Sequence, residues 1–97
     1  MSMYARVTSV ELGDDADRAI SLVRDQIVPL ARQQEGIVAA YWLGDRDSGR
    51  GLAVTIWESE NAMIASEAVA REAARREQQD ADVQTETVEH YEVFAQL

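Results

Sequence analysis

Few side chains in this 97-residue chain combine a reactive type with a useful spacing. His90 is the only imidazole, with Glu89 beside it and Glu92 close by. Neighbouring acids raise an imidazole's pKa and would suit it to general-base work. Its apolar neighbours Val88 and Phe94 fit a structural or surface histidine equally well. Asn61 could orient a phenolate or an oxygen-derived intermediate by hydrogen bonding, or simply bond local backbone in the first turn of a helix. Trp57 could stack on an aromatic ligand or close a sheet beneath a helix. Arg6, two residues after Tyr4 on the same face of a strand, could bind an anionic ligand or pair with one of the eighteen acids. Tyr41 and Trp42 are adjacent, so in a strand they point to opposite faces. One of them can face a ligand cavity, and the other is placed to meet a partner surface. Met63 joins Arg6, Tyr41 and Trp42 as a ligand-contacting candidate.

Composition narrows the chemistry further. Without cysteine there are no disulfides, thiolate nucleophiles or Cys-ligated metals, and a single histidine leaves only scattered carboxylates for a metal. A formal net charge of -9 argues against nucleic acid, because phosphate binding needs a basic patch. All nine cations are arginine, a bias that a GC-rich genome would produce. The longest apolar run, Ile37 to Leu43, is far short of a membrane span. No basic segment and apolar core precede the first strand, so no signal peptide is expected. The default is a soluble cytoplasmic protein, one domain over residues 1–97, with no membrane partner and no cofactor.

These candidates must be positioned by a short series of elements. Tyr4 to Leu12 is rich in strand formers. Gly13, Asp14 and Asp15 end it, and an Asp there can cap a helix. From Ala16 to about Gln33 the apolar residues fall on one helical stripe through Ala19, Ile20, Val23, Ile27 and Leu30. Pro29 lies inside it and lacks the N–H that would bond Asp25, which predicts a kink. Gly36 closes the helix. Ile37–Leu43 and Leu52–Trp57 read as two strands of a hairpin, joined by a turn with Gly49 at positive φ. Ser59 can cap a second helix from Glu60 to about Gln79, with an inner stripe of Ala62, Ala65, Ser66, Val69, Ala70 and Ala73 and with Met63 at its margin. Val83–Leu97 reads as a last strand, bent where its alternation slips between Val88 and Tyr91.

The order β-α-β-β-α-β gives an α+β, ferredoxin-like fold: a four-stranded antiparallel sheet with two helices on one face. The two central strands, however, are apolar on both sides. Ile37, Ala39, Tyr41 and Leu43 oppose Val38, Ala40 and Trp42, and Leu52, Val54 and Ile56 oppose Ala53, Thr55 and Trp57. A sheet with one wet face would alternate cleanly. A second copy of the same sheet is the simplest cover, which predicts a homodimer through the sheet faces.

The element order, the Gly36-Ile37 entry to the second strand, Pro29 late in the first helix, and Trp57-Glu58-Ser59-Glu60 leading into the second helix resemble the antibiotic biosynthesis monooxygenase domain family. That family lies within the dimeric α+β barrel superfamily, and the resemblance covers essentially the whole chain. It implies sheet-to-sheet dimers that hold small ligands between sheet and helices. Its characterised branches include cofactor-independent oxygenases of polycyclic phenols and haem-degrading oxygenases. The haem branch would use an Asn on strand one and a Trp and a haem-ligating His on helix two. This chain has none of these, and its second helix contains no aromatic residue. The phenol-oxidising branch places an Asn and a Trp near helix two, of which Asn61 alone can be carried over.

Two readings of function follow. One is a small-molecule-binding protein that oxidises an aromatic or polyphenolic substrate without cofactor, with Trp57, Asn61 and His90 as its site. The other is a non-catalytic dimeric ligand-binding or assembly module. An enclosed pocket between helices and sheet, reached by at least two of those three residues, would favour the enzyme, and one filled by Met63, Val69 and Ile20 the module.

Overall fold

Residues directly opposite one another in an antiparallel sheet share a face, so strand register sorts this sheet into two surfaces. The structure is a computed structural model and describes residues 2–97. Strands β1 (Tyr4–Glu11), β2 (Ile37–Asp45), β3 (Arg50–Trp57) and β4 (Gln84–Glu92) form one sheet in the order β2-β3-β1-β4. All neighbours are antiparallel. This is the ferredoxin-like arrangement expected from the element order.

On one surface Arg6 pairs with Thr55, Thr8 with Ala53, and Trp42 with Ala53 from the other side. Both helical runs pack here. The other surface carries Ala5, Val7 and Ser9 of β1, Leu52, Val54 and Ile56 of β3, and Ala39, Tyr41 and Leu43 of β2. Among the described residues no helix packs on it, and Tyr41, Leu43 and Leu52 stay exposed there. Ile37 belongs with the helix side, contrary to strict alternation, because an extra residue at Val38 sets Ile37 opposite Trp57 and Ala39 opposite Ile56. That bulge resets the face of everything before it. A second irregularity moves the β4 register between Ser9 and Val10, which face Thr87 and Thr85. The slip in β4 therefore lies at Glu86, earlier than the Val88–Tyr91 position expected, and β4 ends at Glu92 instead of running on to Leu97.

The first helical run comprises α1 (Ala16–Leu22), a π-helical segment Val23–Ile27, and α2 (Val28–Arg32). Asp15 caps it, accepting from the Arg18 N–H at 3.1 Å. Pro29 acts through the π segment: the Val28 N–H donates five residues back to the Val23 carbonyl, and the α-helix restarts with proline in its first turn. Gly36 follows with φ +84, a conformation that excludes ordinary side chains. The hairpin turn carries Gly49 at φ +76, as its sequence predicts.

The second helix is interrupted. Ser59 caps α3 (Glu60–Ala65), accepting from the Ala62 N–H at 3.1 Å, and α4 (Glu67–Ala81) begins beyond Ser66. One continuous stripe would bury Ala65, but the break rotates the first turns so that Met63 is buried and Ala65 is exposed. A core cluster of Val10, Ala19, Leu22, Ala81 and Val83, joined by Leu12, ties the far end of α4 to α1 and the sheet. No helix among the described residues is long and apolar enough to cross a membrane.

Candidate functional site

Small side chains on α4 leave space between the helices and the sheet. Val69, Ala70, Ala73 and Ala74 cannot fill the gap above Thr8, Ala53 and Thr55, and a cavity of about 410 Å³ remains. That is within the usual range for small-molecule sites. Ile20 and Val69 line it without filling it, and Met63 is absent from its wall. Trp42 and Trp57, the only tryptophans in the chain, both line it. The Trp57 indole N–H donates to Thr55 Oγ1 at 2.9 Å, which fixes the ring's orientation.

Arg6 lines the same cavity and is only 5% exposed. Its Nη2 donates to the Met63 carbonyl at 2.7 Å and its Nη1 to Ser66 Oγ at 3.1 Å. The Ser66 hydroxyl in turn donates to the same Met63 carbonyl at 2.7 Å. The break between α3 and α4 is thereby stabilised: the Met63 carbonyl is captured by side chains of a strand and of Ser66. The guanidinium carbon sits 5.8 Å from the Trp57 ring centroid, within cation–π range. Pairing of Arg6 with an acid, the simple expectation, is not found. Among the described residues no carboxylate is within ion-pair distance of it. Burial draws its pKa below the usual value, partly offset by the charge of Glu67. A guanidinium nevertheless stays protonated.

A second ionisable group faces the cavity from α4. Glu77 lies eleven residues beyond Ser66, roughly 16 Å along the helix axis. Burial alone raises its carboxyl from 4.5 to about 7. It follows Ser66, Val69, Ala70 and Ala73 on the inward stripe, and an acid continuing an apolar stripe was the signal that could have found it.

No family model matches the chain. Solved structures match it over nearly its full length. A monooxygenase from Streptomyces coelicolor in complex with nanaomycin D superposes with a TM-score of 0.75 at 13% identity, covering 99% of this chain and 91% of that one. SnoaB, a cofactor-independent oxygenase from Streptomyces nogalater, gives a TM-score of 0.71 at 17% identity, covering 100% of this chain and 96% of SnoaB. This chain has the antibiotic biosynthesis monooxygenase fold. By sequence it is similar to two uncharacterised Mycobacterium tuberculosis proteins, Rv2557 and Rv2558, at 37% and 40% identity over 65 residues, 66% of this chain. Those 65 residues are 29% and 28% of the two relatives, so the chain spans under a third of their length.

Within the antibiotic biosynthesis monooxygenase fold, the sequence candidates separate into four groups. Arg6, Trp42 and Trp57 meet at the cavity. Asn61 is exposed in the first turn of α3, and His90 is exposed on the edge strand β4; neither lines it. The register sets His90 opposite Arg6, but on the outer edge of the sheet. Tyr41 lies on the uncovered surface, 59% exposed. Met63 is buried, and its part is to present a carbonyl to Arg6. Only Trp57 of the three proposed catalytic residues reaches the cavity, and Met63 does not fill it, so the arrangement matches neither the expected enzyme pocket nor the expected filled one in full.

Proposed function

We propose that this chain is an antibiotic biosynthesis monooxygenase-type protein that binds a planar aromatic or polyphenolic molecule between its helices and its sheet. The carrying observation is the pair Trp42 and Trp57, which share one apolar cavity of about 410 Å³ with a buried Arg6. Aromatic walls suit a flat ligand, and few polar groups are needed to orient it.

Cofactor-independent oxygenation is the activity this arrangement supports best, as in SnoaB. A substrate with an acidic methylene between two aromatic rings gives up a proton, and the carbanion reacts with O₂ to form a carbon–oxygen bond. The resulting hydroperoxide loses water and leaves a carbonyl. The protein has to supply a dry cavity, orientation and a proton acceptor. Glu77, with its carboxyl near 7, is half ionised at neutral pH and lines the cavity. The exposed positions of Asn61 and His90 favour a second reading, a non-catalytic dimeric ligand-binding or assembly module.

In either reading two copies associate through their uncovered sheet faces. Tyr41, Leu43 and Leu52 are 59%, 52% and 39% exposed there, around the half-buried Val54 and Ile56. A contiguous apolar surface on a sheet is a typical interaction site.

Oxygen uptake with anthrone-like and hydroquinone substrates tests the activity. Uptake above the buffer rate, lowered in Trp57→Ala and in Glu77→Gln, is expected of the oxygenase. Uptake equal to buffer, with ligand still bound, assigns the module.

A further inference from the structure

We infer that the ligand of this cavity carries an acidic oxygen, as a carboxylate or an ionised phenol or enol, and that Arg6 receives it. The inference rests on reading the cavity as a small-molecule site.

Burying a cation is costly unless a counter-charge and hydrogen bonds replace the lost water. Arg6 is 95% buried by its 5% exposure, yet both of its hydrogen-bond partners are neutral: the Met63 carbonyl and the Ser66 hydroxyl. A shortage of acids does not explain this, since the chain has eighteen against nine cations. Glu72 holds Arg75 and Arg76, and Asp17 holds Arg46, all on the surface. The most deeply placed arginine has no carboxylate within ion-pair distance and feels only the charge of nearby Glu67.

The planar fork has five N–H donors, and two are spent within the protein. Those two anchor the guanidinium against the α3–α4 break, and Trp57 flanks it. A fixed fork with unused donors, facing an apolar cavity, is organised to receive an oxyanion in plane. An aromatic acid would lay its rings against the half-buried Trp42 and bring a counter-charge into hydrogen-bond distance of Arg6, which the buried Trp57 backs.

Calorimetric titration of the full chain with naphthoate and with naphthamide, matched in shape and differing in charge, tests this. Wild type should bind naphthoate about tenfold or more tighter at neutral pH. Arg6→Gln should abolish that preference while keeping naphthamide within about threefold, and Arg6→Lys, which keeps the charge but loses the fork, should retain part of it. Equal affinity of wild type for both probes, or an undiminished preference in Arg6→Gln, overturns the inference and leaves the cavity reading intact. Binding of neither probe to wild type overturns both. Should Arg6→Gln fail to fold, the wild-type pair and Arg6→Lys decide alone: a lysine variant as selective as wild type contradicts reception by the fork.

Discussion

Arg6 and Met63 lie 57 positions apart, and the Arg6 Nη2 donates to the Met63 carbonyl at 2.7 Å where the second helix breaks. One strand side chain thus sets both the course of α3 into α4 and the charged wall of the cavity. The Ser66 hydroxyl completes the arrangement by bonding both groups. Ser66→Ala removes an acceptor from a buried guanidinium and a donor from the carbonyl, and should cost about 1–2 kcal/mol in urea unfolding. A loss under a few tenths of a kcal/mol would show that the triad contributes nothing to the fold.

Glu77 makes the stability depend on pH. Its carboxyl titrates near 7 in the folded chain against 4.5 unfolded, so the folded state holds the extra proton between those values. The stabilisation is therefore complete below 4.5 and lost as pH rises through 7. Glu77→Gln stays neutral throughout. After discounting for solvent screening it should exceed wild type by about 1–2 kcal/mol above neutrality and match it in acid. Unfolding curves of the two proteins across this range measure the difference. Parallel curves would mean that the carboxyl is solvated.

Two glycines separate backbone strain from crowding. Gly49 has φ +76 and open space where a Cβ would stand, so Gly49→Ala should cost about 1 kcal/mol. Gly36 has φ +84, and its Cβ would come 2.6 Å from the Ala62 Cβ. Gly36→Ala should cost roughly 2–4 kcal/mol, since strain and overpacking combine. Thermal melts of both variants give the comparison, and equal losses would place no packing demand on the Gly36–Ala62 contact.

The uncovered sheet face predicts an assembly. In light scattering the wild type should appear at twice 10.8 kDa, and Leu43→Glu should appear at 10.8 kDa. Leu43 sits opposite Leu52 on that face, toward the hairpin end of the edge strand β2, so a carboxylate there meets apolar partners it cannot hydrogen-bond. A wild type that scatters as a single chain would refute association through the sheet.

The fold could be read from sequence because its signals are local. Asp15, Ser59, Gly36 and Gly49 mark caps and turns through backbone demands that need no tertiary context. The apolar pattern of β2 and β3 separated two faces, and only the extra residue at Val38 put Ile37 on the wrong one. The break at Ser66 was hidden because the side chain that bonds it, Arg6, is sixty positions away. The lining of the cavity was equally hidden, although the family resemblance implied a ligand space between sheet and helices. Trp57 and Arg6 were identifiable by type, but their convergence with Trp42 and Glu77 depends on how closely α4 approaches the sheet. His90 stood out by its chemistry and Asn61 by its chemistry and the family resemblance, and both lie outside the cavity.

Both tryptophans of the chain line the cavity, so tryptophan emission, excited apart from the tyrosines, reports on its surroundings. Titration with a hydroxynaphthoquinone, followed by tryptophan fluorescence, is the most direct test of ligand binding there. Saturable quenching at one ligand per chain, reduced in amplitude in Trp42→Phe and in Trp57→Phe, is predicted. Quenching that rises linearly without saturation, identical in both variants, would contradict the account.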